Sequence, residues 1–201
     1  MQKGKHEKME FIGNFMSAAL LAIFLQNAVF EKALGINILL YASRRRAHVV
    51  GFTLGLCYIT TLASVAAWSL DDAFGEHEFY TMIAPVLYIF VIGIIYIISL
   101  VIVWRYFPGL FKKIKKYVHL TVFNCAVLGA LFLSSQAGED VFSYMGYGLG
   151  TALGFFAAGY LLYVAHERLN SQLVPAAFRG MPIMIIYVGI LSLAMHSLVR
   201  I

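Results

Sequence analysis

The sequence predicts an all-α integral membrane protein with six transmembrane helices in two inverted three-helix repeats, the first and fourth segments broken. Three observations predict it. The chain of 201 residues is 61% hydrophobic and only 12% charged, far from the balance of a soluble domain. Several runs reach the ~20 apolar residues that a hydrocarbon core ~30 Å thick requires, and the run APVLYIFVIGIIYIISLVIVW, from Ala84 to Trp104, lacks the polar–apolar alternation of a membrane β-strand. Finally, polar residues interrupt the first and fourth runs at comparable places in the two halves.

Residues 1–10 read as a polar N-terminal tail, and residues 11–201 as one membrane domain with repeat halves at about 11–106 and 118–201. Phe11 to Ala42 is the first apolar stretch. Gln26, Asn27, Glu31, Lys32, Gly35 and Asn37 interrupt it, and a charge at mid-span costs ~2.5–3.5 kcal/mol on insertion scales. The stretch is therefore expected to be broken or re-entrant, since non-helical backbone survives at membrane depth only under protein cover. Arg44, Arg45 and Arg46 close it. The second span is expected from Val49 to Leu70, followed by an acidic loop with Asp71, Asp72, Glu76 and Glu78. The third runs from Met82 to Trp104. Phe107 to Tyr117, with Lys112, Lys113, Lys115 and Lys116, is placed at an interface. The fourth span is His119 to Gln136, with Asn124 and Cys125 within it, and Glu139 and Asp140 follow. The fifth, Phe142 to Ala165, carries five glycines suited to close helix packing. His166 to Arg179 is a loop, and Met181 to Leu198 the sixth span.

Loop charge sets the expected orientation. The loops after spans one, three and five carry most of the arginines and lysines, including Arg105, Arg168 and Arg179. The opposite side carries Lys3, Lys5, Lys8, Arg200 and nearly all the acids. The positive-inside rule then puts both termini outside. No small-residue cleavage site follows the first apolar run, so no cleaved signal peptide is expected. The net charge of +5 is loop charge and no nucleic-acid footprint. Asn27-Ala28-Val29 echoes Asn124-Cys125-Ala126-Val127, and Pro85 with Gly93 echoes Pro182 with Gly189. Three spans per half insert the halves with opposite orientation, and in such folds the broken segments meet near the midplane and form the site.

Few residues carry chemistry. Cys125 is either a small packing thiol or a metal thiolate. Iron–sulfur clusters normally take four cysteines, so one such residue needs partners. Asn27 and Asn124, with Gly35 and Gly129, suit the structural work of a helix break. Glu31 and Lys32, as neighbours in sequence, would not share a helix face; they either snorkel or line a polar path. The arginine triplet and the lysine cluster serve as topology signals, with anionic lipid as a further option. His119 and His196 fall near span ends, and Cys57 is expected to pack. There is no phosphate-binding glycine loop, no Ser/His/Asp set and no CxxC spacing.

The segments FLQNAVFEKALGI, TLASVAAW, TVFNCAVLG and VPAAFRGMPI, with YVGILSLAM after the last, resemble the integral-membrane subunits of the Rnf and Nqr redox pumps, over nearly the whole chain from Leu25. The resemblance implies six helices in inverted repeats with half-helices in the first and fourth. It implies a homologous partner subunit of opposite orientation, further flavin- and iron–sulfur-bearing subunits, and a bacterial or archaeal cytoplasmic membrane. It also implies a [2Fe–2S] cluster between the two homologous subunits, two cysteines from each, in a complex that couples ferredoxin:NAD electron transfer to Na+ or H+ movement. Cys125 matches one ligand cysteine. The other family cysteine falls where this chain has Asn37, and a carboxamide is a poor soft-metal ligand. The alternative is a diverged paralogue without a cluster, acting as an ion or small-solute transporter or as a scaffold.

Overall fold

The computed structural model describes residues 3–75, 77, 79–137, 140–172 and 174–199; Glu76, Glu78, Glu139 and Arg200 lie outside the described residues. All regular elements among the described residues are helical. Helix α1 (Lys3–Leu20) runs into a single π turn at Leu21–Leu25, after which the chain is irregular as far as α2 (Ile36–Ala42). Then follow α3 (Arg46–Phe74), α4 (Tyr80–Tyr106), α5 (Pro108–Val122), α6 (Cys125–Ala137), α7 (Val141–Leu169) and α8 (Met181–Val199).

Three of these, α3, α4 and α7, are long and apolar enough to cross a bilayer, with mean hydropathies of 1.8, 3.0 and 1.5. The remaining apolar segments, Glu10–Leu25, Cys125–Ala137 and Met181–Ser197, are shorter. The first and fourth stretches fall short because each is interrupted. The first breaks between Gln26 and Gly35, and the fourth at Phe123–Asn124. The lysine-bearing segment expected at an interface is part of α5. Pro108 opens that helix at a position whose N–H has no intrahelical use, and the helix then runs without interruption to the break.

Helices α3 and α7 form the centre. Half of the apolar window of α7 is buried, against 17% for α4, so α4 presents most of its surface outward, including Ile89, Phe90, Ile94, Ile97, Val101 and Trp104. Small residues let the central pair approach closely. A Cβ on Gly148 would stand 2.7 Å from Ser64 Oγ and 2.9 Å from the Thr60 carbonyl. Thr60 Oγ1 donates to the carbonyls of Leu56 and Gly148 at 2.7 and 2.8 Å, which satisfies a buried hydroxyl and ties the helices together. Each broken segment leans on one member of the pair. Gly146, Gly150 and Gly154 of α7 admit the backbone of Phe15 and Ala19 and the side chain of Asn27, while Gly51 and Gly55 of α3 admit Tyr117 and Thr121 of α5.

Asp71 and Asp72 do not lie in the expected loop; they belong to the last turn of α3. Tyr88 donates to Asp71 Oδ1 at 2.6 Å and Tyr144 to Oδ2 at 2.6 Å, and Tyr80 also donates to Oδ1. Three hydroxyls from α4 and α7 thus hold one carboxylate and clasp three helix ends. At the other end of α7 the helix continues to Leu169 and takes in His166 and Arg168, which the sequence reading placed in the loop. The loop itself is pinned by Arg179, whose Nη2 donates to the carbonyls of Gln172 and Val174 at 3.3 and 3.0 Å.

Placing a branched side chain at Gly150 should disrupt this packing, because its Cβ would meet the Ala19 carbonyl at 2.5 Å and Ala22 Cβ at 2.8 Å. Gly150→Leu is expected to cost about 1–3 kcal/mol and to lower the thermal unfolding midpoint in detergent. Gly189→Leu, with open space around the site, should leave the midpoint nearly unchanged.

Candidate functional site

The π turn leaves the chain at Gln26, whose N–H reaches the Leu21 carbonyl at 2.8 Å. Asn27, 2% exposed, takes over the freed backbone groups. Its Oδ1 accepts from the N–H groups of Val29 and Phe30 at 2.9 and 3.1 Å, and its Nδ2 donates to the Ile23 carbonyl at 2.8 Å. One carboxamide therefore bridges the end of one helical segment and the start of the irregular one. The backbone then turns through two left-handed residues, Ala33 (φ 56°) and Gly35 (φ 76°). Gly35 is the N-cap of α2, its carbonyl accepting from Ile38 and Leu39 at 3.1 and 3.0 Å.

The second break is shorter and follows similar chemistry. Asn124 caps α6, its Oδ1 accepting the Ala126 N–H at 3.0 Å, the service that an N-cap carboxamide gives to an orphan donor. Its backbone carbonyl accepts from Val127 at 2.9 Å. Asn124 Nδ2 is buried and finds no hydrogen-bond partner among the described residues.

The two breaks touch. The Gly35 N–H, an orphan of the α2 N-terminus, donates to Cys125 Sγ at 3.1 Å. A Cβ on Gly35 would stand 2.7 Å from Asn124 Oδ1, and one on Gly129 would stand 2.2 Å from Leu34 Cδ1. Asn27, Gly35 and Asn124 thus sit at the breaks. Gly129 sits one turn inside α6 and receives Leu34 of the opposite break, so its structural role is a close approach and not the break itself. Cys125 is exposed and opens on an apolar groove of about 400 Å³ lined by Ile89, Ile92, Gly93, Val122, Phe123 and Leu128.

Asn37 is exposed in the first turn of α2. Cys57 lies within α3, half-buried and packed against the core. No group of three or more His, Cys, Asp or Glu side chains gathers as a metal-binding set among the described residues. Glu31 and Lys32 pair with each other at 3.2 Å. The expectation that sequence neighbours would diverge assumed a helix, whereas both lie in the irregular turn. His119 meets the Tyr96 hydroxyl at 2.9 Å through Nδ1. The arginines Arg44, Arg45 and Arg46 line a recess with Tyr163, His166 and Glu167. The Asp71 clasp escaped sequence reasoning, although Tyr80 and Tyr88 stand about two helical turns apart and so on neighbouring parts of one face.

A family described as Rnf-Nqr subunit, membrane protein, matches residues 15–201. The A-subunit of the ion-translocating oxidoreductase complex of Cereibacter sphaeroides is 32% identical over 183 residues, covering 91% of this chain and 95% of that protein. The proteins of the same name from Citrobacter koseri and Serratia proteamaculans are each 30% identical over 172 residues, covering 86% of this chain and 89% of the relative.

The contact between the breaks depends on a residue without a side chain. Gly35→Ala would force an L-residue to φ 76° and drive its Cβ into Asn124. The expected cost is about 2 kcal/mol or more, read as a lower unfolding midpoint together with faster alkylation of Cys125 by a hydrophobic maleimide. Gly93→Ala, in open space on α4, should change neither.

Proposed function

The chain belongs to the Rnf-Nqr family of membrane subunits, and from that premise we propose that it is a membrane subunit of an Rnf-like ion-translocating ferredoxin:NAD oxidoreductase complex. In this reading it makes no catalytic centre of its own. It helps to carry electrons across the membrane and to couple them to Na+ or H+ transport. The observation that carries the reading is the meeting of two helix breaks at an exposed thiol on an apolar groove. An apolar face of that kind suits a second membrane subunit, and the reading takes it to be a homologue of opposite orientation, with flavin- and iron–sulfur-bearing subunits beyond.

The proposed architecture is six segments in two inverted repeats. Reciprocal packing supports it. The broken segment of the first half rests on α7 of the second, and that of the second half rests on α3 of the first, both against glycines. Both central helices have 29 residues, as related halves would.

The donor chemistry bears on a [2Fe–2S] cluster. Cys125 suits one ligand position: its sulfur is accessible and is oriented by the Gly35 N–H that donates to it. Asn37 offers a hard carboxamide oxygen and Cys57 is packed within α3, so neither supplies a second soft ligand beside it. The donor set fits a group shared with a partner and not one held by this chain alone. When bound, the cluster would supply one-electron transfer. The chain's own part is to hold the Cys125 sulfur through Gly35 and to fix the start of α6 through Asn124.

Iron content and electron paramagnetic resonance of the purified complex, wild type beside Cys125→Ala, test this proposal. The expected result is iron in the wild type and its loss in the variant; iron unchanged by the substitution removes Cys125 as a ligand. A complex with flavoprotein partners but no iron assigns the chain to a cluster-free frame. Recovery as a lone homodimer in mild detergent argues against the complex. The orientation is tested separately. A reporter fused at the C-terminus should read the outer face of the cytoplasmic membrane.

A further inference from the structure

The groove at Cys125 has a counterpart at the other break. Where α4 flanks the break of the second half, α8 flanks that of the first, and between them lies a recess of about 370 Å³ lined by Asn27, Phe30, Glu31, Ser192, Met195 and His196. Apolar side chains, Phe24, Leu25 and Leu193 among them, also wall this recess, but unlike the other it holds a carboxylate, a hydroxyl and an imidazole. Ser192 Oγ donates to the Phe30 carbonyl across it, holding α8 against the break. Tyr147 of α7 donates to Gln26 Oε1 at 2.8 Å and lies within Coulombic range of Glu31. The titratable and charged groups around the carboxylate are thus Lys32 on the same turn, Tyr147 from α7 and His196 from α8.

A carboxylate in an apolar segment is expensive, and such groups mark ion or proton pathways when they face a cavity. Here the cost is offset by a neighbour that is itself a cation. Lys32 Nζ stands 3.2 Å from Glu31 Oε1, with the two side chains 45% and 34% exposed. The ammonium sits on a flexible four-carbon stem. It can swing away when another positive charge takes its place, so the carboxylate need never be left unpaired.

We propose that the recess between the first helix break and α8 is an exchangeable cation site, in which the Glu31 carboxylate takes a proton or Na+ and Lys32 is the tethered cation that occupies it between loads. Glu31 accepts the charge; His196 and Ser192 line the entrance and supply polar atoms to a partly dehydrated ion; Asn27 holds the break that keeps the recess open. The same polar chemistry serves both cations, and they compete for one carboxylate. The site stands on its own geometry, while its place in ion movement rests on the function proposed above.

The test uses dicyclohexylcarbodiimide, an apolar reagent that attacks carboxylic acids in their protonated form. Membranes carrying the full-length chain with its native partners are treated across a range of pH, and adducts are located by mass spectrometry. Glu31 is expected to react, more slowly as the pH rises, and several-fold faster in Lys32→Gln, where the tethered cation no longer competes for the carboxylate. Slowing by Na+, with choline as the ionic-strength control, identifies a site that takes Na+ in exchange for H+. Indifference to Na+ with the pH dependence intact identifies a proton site. No reaction of Glu31 at any pH, or an equal rate in Lys32→Gln and the wild type, overturns the proposal. The readout needs neither iron nor electron transfer, so failure of the complex assignment and failure of this site give different results.

Discussion

Backbone polar groups released inside an apolar segment must find partners within the protein, and most of this architecture follows from that constraint. At membrane depth there is no water to accept an orphan N–H, and each one left unmade costs several kcal/mol. The chain opens its helices twice and covers the exposed ends with very few side chains. Asn27 serves three backbone groups at the first break, Asn124 serves α6 at the second, and the sulfur of Cys125 receives the N–H of Gly35. The last bond joins the two breaks, so each helps to complete the other.

Irregular backbone of this kind needs a rigid surround, and α3 and α7 provide it. Their contact is close because glycine and small hydroxyl residues face each other, and Thr60 bonds across it to the Gly148 carbonyl. The clasp of Tyr80, Tyr88 and Tyr144 on Asp71 fixes the ends of α3, α4 and α7 relative to one another. A charged acceptor gives hydrogen bonds roughly twice as strong as neutral ones. The carboxylate therefore acts as a joint between helices that loops alone would leave free to shift.

The breaks also divide the molecule's chemistry between two faces. Beside α4 the Cys125 thiol meets aliphatic and aromatic side chains, a setting that excludes water and suits a membrane partner. Beside α8 the equivalent space sets Glu31, Ser192 and His196 among apolar side chains, a setting that suits the partly dehydrated cation proposed there. In the proposed roles electrons pass near one face and ions near the other, with the shared breaks between them.

The sequence by itself determined the class, the apolar segments and the fact that two of them are broken. These follow from local content: runs of apolar residues too long for a soluble domain, and Gln26, Asn27, Glu31, Lys32 and Asn124 placed where a continuous helix would pay for them. It also singled out Asn27, Asn124, Gly35 and Cys125. Only the tertiary structure decided how these meet, because the Gly35–Cys125 bond joins residues 90 positions apart, and no local pattern encodes which Sγ faces which N–H. The same holds for Asp71, assigned to a loop on charge alone and kept helical by hydroxyls from two other helices, and for Glu31 with Lys32, which a helical spacing would separate and an irregular turn brings together. Composition and periodicity report what a segment can bury; which groups it buries together depends on packing between segments distant in the chain.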